Sequence, residues 1–255
     1  MIDPRAAWFA PWCERLGARF NELLASTQTD DLASRLNALG SPATTLSGHA
    51  VRFVEHARLP ADTAYETHIH ATGHVPTRDN THDLFNALAW FVFPRAKTAL
   101  NAIQAREIAR RGGTAGPRGP ARDAATLLDE NGLLLVTRDN ALIDHLRARR
   151  WTHVFVERRA QWMEQVRVLM FGHALADKLR APYKSITAHA WVVSLDCHAT
   201  FDAIDEHLAH EWLGHTTLAP SMLLPVPVLG LPGWWPLNQS REFYDDASVF
   251  RAARV

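Results

Sequence analysis

The chain has 255 residues, 47% of them apolar and 21% charged, with a formal net charge of zero. That length suffices for a sizeable core in one large domain or two small ones. Zero net charge leaves no global electrostatic footprint for nucleic acid, two cysteines (Cys13 and Cys197) make no disulfide framework, and no unbroken apolar run is long enough to span a membrane. The N-terminus lacks a basic start followed by an apolar stretch, so no secretory signal is read and the chain is placed in the cytoplasm.

Residues 5–25 read as one helix, with Trp8, Trp12, Leu16, Phe20, Leu23 and Leu24 on one stripe. Asp30 or Asp31 caps a second helix that Gly40 ends. Residues 51–54 and 63–70 are expected as strands, the latter with His68 and His70 on one face.

The next stretch, from Arg78 to Asn101, joins unusual polar residues to a dense set of aromatics. Asp79, Asn80 and Thr81 are good N-cap residues, and Phe85, Leu88 and Val92 follow at helical spacing. His82 and Asn86 are four apart and share a side. Pro94 pushes Phe93 out of the α region and suits the first turn of a further helix, so the stretch reads helix, break, helix. Lys97 and Asn101 again lie four apart. Two short helices would carry His82, Asn86, Arg95, Lys97 and Asn101 around one corner. Each residue alone has an ordinary reading as a cap or a satisfied polar group, and the cluster is more specific than its members.

The second of these helices runs to about Arg111, and a Gly/Pro loop covers residues 112–120. One domain over 1–255 is expected, divisible into a helical subdomain over residues 1–111 and a strand–helix–strand subdomain over residues 121–255. A helix from Ala121 to about Glu130, a turn at Asn131-Gly132, a buried strand from Leu133 and a helix capped by Asp139 follow. Residues 151–156 read as extended or as a short helix. The run from Val166 to Leu179 reads strand, glycine turn, helix, with His173 at the turn, and residues 186–195 form another strand. Lys184 and His189 flank that strand. A helix from about Thr200 to Leu213 precedes a tail with no charge between Glu211 and Arg241 and prolines at 220, 225, 227, 232 and 236. Such a tail is neither helix nor central strand; it is a strap across the core or, with Trp234 and Trp235, a groove wall. The fold class is α+β (or α/β), a small mixed sheet covered by helices with a long extended Pro/Trp-rich C-terminal segment.

Charge is uneven. Seven Lys or Arg and one acid lie from Arg95 to Arg122, and eight acids and one base from Asp196 to Asp246. Solvated faces explain both runs; a basic patch for a small anionic ligand is the alternative.

Several blocks are familiar together: Val75-Pro-Thr-Arg-Asp-Asn-Thr-His-Asp-Leu-Phe-Asn, Phe93-Pro-Arg-Ala-Lys-Thr-Ala-Leu-Asn, Phe171-Gly-His-Ala-Leu, Leu179-Arg-Ala-Pro-Tyr-Lys and Pro225-Val-Pro-Val-Leu-Gly-Leu-Pro-Gly-Trp-Trp. In these the chain resembles the bacterial domain of unknown function 3025 family over most of its length from residue 75. The resemblance implies a bacterial source and no particular activity.

Two function classes stand. The first is a metal-dependent hydrolase acting on a phosphate-containing substrate. Gly73-His74 followed by a helix with Asn86, then Lys97 and Asn101, distantly resembles the ββα-metal nucleases, where a hairpin His activates water and a helix residue holds one divalent ion. Here the acid and arginine that precede Gly-His in one branch are replaced by Ala71-Thr72, and the spacing before Pro76 is short by one. Histidines 68, 70 and 74 offer a zinc alternative, whereas His207 to His215 lacks the i, i+4 imidazole pair of a zinc-protease helix. The second class is a non-catalytic binding protein for an anionic small molecule, or a protein-interaction module. In the enzyme reading His82, Asn86 and His173 are catalytic, Asn80, Asp83, Arg95, Lys97, Asn101, Lys184 and His189 line the ligand site, and one divalent ion is the cofactor.

Overall fold

The computed structural model describes residues 3–25, 31–113, 118–215 and 218–253. The helices are α1 (Ala10–Leu16), α2 (Ala18–Ala25), α3 (Leu32–Asn37), α4 (Tyr65–Thr72), α5 (Thr81–Val92), α6 (Pro94–Arg110), α7 (Pro120–Asn131), α8 (Asn140–Arg147), α9 (Arg159–Gln165), α10 (His173–Lys178) and α11 (Phe201–Gly214). The strands are β1 (Arg52–Glu55), β2 (His74–Thr77), β3 (Gly132–Val136), β4 (Arg167–Met170), β5 (Thr187–Val193) and β6 (Leu224–Pro227). This is an α+β fold. The main sheet runs β4-β3-β5-β6, with β3 antiparallel to β4 and parallel to β5, and β5 antiparallel to β6. β3 is buried along its whole length, as its unbroken Leu-Leu-Leu-Val run requires.

The N-terminal stripe forms, but in two helices. Gly17 takes φ 59° between them, a conformation glycine adopts at no steric cost. Trp12 is fully buried, and its Nε1 donates to Met170 O at 2.7 Å, which ties α1 to β4. Asp31 caps α3; Asp30 lies outside the described residues.

Residues 63–70 correct the strand expectation. β1 and β2 pair in parallel, so the chain must travel back between them, and α4 makes that return. Gly73 ends the helix at φ 74°, where a side-chain Cβ would stand 2.4 Å from Ala50 O. His68 and His70 therefore sit on a helix. Parallel pairing also means that no β-hairpin presents His74, so the ββα arrangement is not formed here.

The break at Pro94 falls where the sequence puts it: α5 ends at Val92 and α6 begins at Pro94. The N-terminus of α6 is closed by Asp205 of α11, whose carboxylate accepts from Arg95 N and Ala96 N, both at 2.9 Å. Asp205 is 1% exposed, so these bonds replace its hydration. α11 packs along α6 and α10 against α5, so the segments on either side of residues 112–120 share one apolar core. Residues 114–117 of that loop lie outside the described residues. Residues 153–157 form a π-helical turn.

The tail is a strap. β6 uses its prolines at the sheet edge, where a missing N–H is tolerated. Trp234 is buried against Trp8, ring centroids 6.2 Å apart, and Trp235 is partly buried. Asn238, fully buried, fastens the segment: its Nδ2 donates to Leu229 O and Leu231 O, and its Oδ1 accepts from Arg159 Nη2 at 2.9 Å. No helix among the described residues is long and apolar enough to cross a membrane. Cys13 and Cys197 are both free thiols.

Removing the long-range cap tests this account. Asp205→Ala should lose about 1–2 kcal/mol of stability, as other buried caps do. Chemical denaturation of the variant beside the wild type reads it, and an unchanged midpoint would show that the cap is dispensable.

Candidate functional site

A cleft of about 450 Å³ opens between α4, α5, the end of α7 and the start of α10. Its wall includes Tyr65, Glu66, Arg78, His82, Asp83, Asn86, Asp129, Glu130 and His173. Next to it lies a smaller space of about 10 Å³, the room of one water molecule, which Lys97, Asn101 and Trp90 help to line. Tyr65, Glu66, Asn86 and Asp129 border both spaces.

Two tight glycine contacts bring the walls together. A Cβ on Gly132 would stand 2.2 Å from Leu128 O, and one on Gly172 would stand 2.4 Å from Gly132 N and 2.5 Å from Glu130 O. Only glycine lets the β4–α10 turn lie directly on the α7–β3 junction. That contact delivers His173, the first residue of α10, to the last turn of α7, where Asp129 and Glu130 stand.

The buried centre is Lys97, 4% exposed. Its ammonium donates to Asn86 Oδ1 at 2.9 Å, forms a short ion pair with Asp129, and stands 5.3 Å from the Trp90 ring centre. Asn86 Nδ2 in turn donates to Tyr65 Oη at 3.1 Å. Asn101 Nδ2 donates to Glu66 O at 3.0 Å and to Glu66 Oε2 at 2.6 Å, while Asn101 Oδ1 is buried without a partner among the described residues.

Toward the mouth, His173 Nε2 lies 3.2 Å from His82 Nε2 and 3.6 Å from Glu130 Oε2. On the other edge of the ring, His173 Nδ1 faces Asp129 Oδ2 at 3.7 Å. One atom each of His82, Glu130 and His173 lies within 4.8 Å of the others, the spacing of a metal-ligand set.

Charge states follow from burial. Burial is the largest influence on His173 and takes its pKa down to about 4 against the pull of Asp129, so the ring is neutral near pH 7 and has a lone pair to give. Burial also works to raise the Asp129 carboxyl, but Lys97, with help from His173 and His82, holds it below its ordinary value. Glu130 is raised by burial and by Asp129. Glu66 is pushed up to about 7, by burial first and by Asp129 second, against Asn101, Lys97 and Arg122. Four carboxyls (Glu66, Asp83, Asp129, Glu130) face two permanent cations, Lys97 and Arg78, around the two spaces. The excess negative charge invites a cation.

Of the residues singled out in the sequence, His82, Asn86, Lys97, Asn101, Asp83 and His173 are gathered here. Asn80 serves as the N-cap of α5, accepting from Asp83 N at 2.7 Å, while Asp83 accepts from Arg78 N. Arg95 is exposed and contributes its backbone N–H to Asp205. Lys184 lies elsewhere, paired with Asp246 and stacked over Phe243. His189 sits in β5, opposite Gly132, and does not line the cleft wall. His74 borders a different hollow with Arg52 and Arg58.

Sequence reasoning missed Tyr65, Glu66, Asp129 and Glu130. One signal was present. Asp129 and Glu130 occupy the last turn of a helix, the end where the macrodipole disfavours anions. Acids placed there against their local preference point to a tertiary role.

Two predictions concern the buried charges. Lys97→Met leaves the Asp129 carboxylate buried and unpaired and should cost roughly 3–5 kcal/mol, some of which Lys97→Met with Asp129→Leu recovers; urea unfolding of both variants reads this. Glu66, with a folded pKa of about 7 against an ordinary value of 4.5, stabilises the fold fully below the lower value and loses that contribution as pH rises through the upper one. Glu66→Gln should therefore melt like wild type near about pH 4.5 and above it near about pH 8. Equal melting temperatures at the higher pH would contradict the shift.

No curated protein and no solved structure matches the chain. A family model described as a protein of unknown function (DUF3025) matches residues 51–254, most of the length, and the chain belongs to that family.

Proposed function

We propose that the chain is a metal-dependent hydrolase acting on a phosphate-containing substrate, with one divalent ion held by His82, Glu130 and His173. The observation that carries this is the convergence of three ligand atoms at the mouth of the cleft. A small divalent ion takes N and O ligands at about 2.0–2.2 Å, which at tetrahedral angles puts the ligands about 3.3–3.6 Å from one another. The 3.2 Å separation from His173 Nε2 falls just short of that span and the 3.6 Å separation lies at its upper end. On the other edge of the His173 ring, Nδ1 has no hydrogen-bond partner among the described residues, and Asp129 Oδ2 stands 3.7 Å away, on the side where metal-bound imidazoles commonly meet an orienting carboxylate. Lys97 and Asn86 hold Asp129 in its turn.

Three protein ligands leave room for water or substrate. A bound ion lowers the pKa of its water and draws off charge on a phosphoryl oxygen. Arg78, on the cleft wall beside His56 at 3.1 Å, supplies a fixed positive charge for the remaining oxygens. The corner of Arg95 and Lys97 expected to bind an anion does not assemble: Arg95 is exposed and Lys97 is engaged with Asp129, so neither supplies the anion's charge in either reading.

Calorimetric titration of the purified chain with Zn²⁺ and Mn²⁺ tests the reading. One ion per chain is expected, with stabilisation of about 2.7 kcal/mol at a hundredfold excess over Kd. His82→Ala, Glu130→Ala and His173→Ala should each weaken binding by more than about 100-fold, and Asp129→Asn by about 10–100-fold, as supporting residues do. Failure to bind either ion stoichiometrically would overturn the proposal.

A further inference from the structure

Hydrolysis at a metal centre needs a group that moves a proton between the attacking water and the leaving oxygen. The titratable groups at the cleft divide sharply. His82, Glu130 and His173 are taken as ion ligands. Asp129 is committed to Lys97 and kept ionised. Asp83 is occupied at the start of α5, accepting from Arg78 N at 2.7 Å. The Tyr65 hydroxyl accepts from Asn86, and burial holds its pKa well above its ordinary range. Glu66 remains.

Glu66 borders both the cleft and the smaller space beside it. Its carboxyl is fixed from the buried side, where Asn101 Nδ2 donates to Oε2 at 2.6 Å and to the backbone carbonyl at 3.0 Å. The smaller space has the room of one water. Lys97 has three N–H donors and spends two, on Asn86 and Asp129. Asn101 Oδ1 is a buried acceptor with no partner among the described residues. The third Lys97 donor, Asn101 Oδ1 and Glu66 would give a water in that space three hydrogen bonds, the usual number for a buried water.

We propose that Glu66 is the proton-transfer residue of this site, acting on phosphate esters; this rests on the metal-hydrolase reading. With an ion held by His82, Glu130 and His173 to acidify a water, the Glu66 carboxylate would take that water's proton, one O–H bond breaking as another forms, and the oxygen would add to phosphorus as the ester P–O bond breaks. Glu66 then gives its proton to the leaving oxygen and returns to its starting state, so water and ester become alcohol and phosphate with nothing left over. The charges that set its proton affinity are Asp129 and Arg122 on α7 and Lys97 on α6, with Asp83 of α5 acting on the neighbouring Tyr65. A value of about 7 lets the group both accept and donate near neutral pH.

The test compares ion-loaded wild type, Glu66→Gln and Glu66→Asp on phenyl phosphate, a poor leaving group, and p-nitrophenyl phosphate, a good one. Ion stoichiometry should be unchanged in both variants, and the comparison is made at saturating ion. Glu66→Gln should lower kcat on phenyl phosphate by about 10²–10⁴-fold and on p-nitrophenyl phosphate by much less, and it should remove one limb of the kcat–pH profile. Glu66→Asp should restore some of the rate. A Glu66→Gln enzyme within about twofold of wild type on phenyl phosphate overturns the assignment while leaving the metal reading intact. Equal losses on the two esters with the ion retained overturn the return of the proton to the leaving group. If ion-loaded wild type hydrolyses neither ester, both this role and the hydrolase reading fall. If the wild type binds no ion, the metal reading fails first.

Discussion

An ammonium buried to 4% exposure is held in place only by what surrounds it, and the arrangement of this protein follows from Lys97. Its charge must be matched, so α7 presents Asp129; its remaining donors need oxygens, so α5 presents Asn86. Those two demands fix how α5, α6 and α7 lie against one another. Asp129 then faces the inner edge of His173, and α10 is placed by the glycine contact at the α7–β3 junction. The outer edge of the same ring meets His82 and Glu130. One buried charge thus sets the positions of the groups that face the cleft.

Such a centre is a poor way to stabilise a fold. Two carboxylates sit at the wrong end of a helix dipole, a third is held near a neutral pKa by its surroundings, and an amide oxygen is buried without a partner among the described residues. Well-packed apolar residues of similar volume would do better. The surrounding layers offset the cost. α5 buries Phe85 and Trp90, α6 buries Leu100, Ile103 and Ile108, β3 is sealed along its length, and Asn238 pins the strap across the core. Local rules broken in one place and kept everywhere else are what a functional cleft looks like.

Much of this is legible in the sequence, for reasons tied to particular residues. Pro94 announces its break because the ring dictates the backbone on both sides of it. His82 with Asn86, and Lys97 with Asn101, share faces because four residues make about one helical turn. The same arithmetic explains Arg95: two positions from Lys97 is more than half a turn away, so one faces the core and the other solvent. Residues 63–70 mislead because Thr, Tyr and Ile favour strands locally; the parallel pairing of β1 with β2 overrides that preference and is not visible from within the segment. Glu66 is lost with that segment. Lys184 pairs with Asp246 away from the cleft, and His189, though opposite Gly132 at the end of α7, does not line the cleft wall; their places around β5 do not reveal either outcome. The cap of α6 by Asp205 lies beyond any local reading, since 110 residues separate donor and acceptor.

That last separation bears on how the molecule comes into being. As the chain leaves a ribosome, α6 is complete long before α11 exists, and its first amides stay uncapped until more than a hundred further residues have been made. Trp12 waits longer still for Met170, 158 positions on. The amino-terminal aromatics must therefore be shielded, or remain exposed to water, for most of synthesis. The cleft closes only once residues as late as His173 have arrived. Assembly is governed by the slow closure of long loops, and a nascent chain stalled before that point carries helices with no chemistry between them.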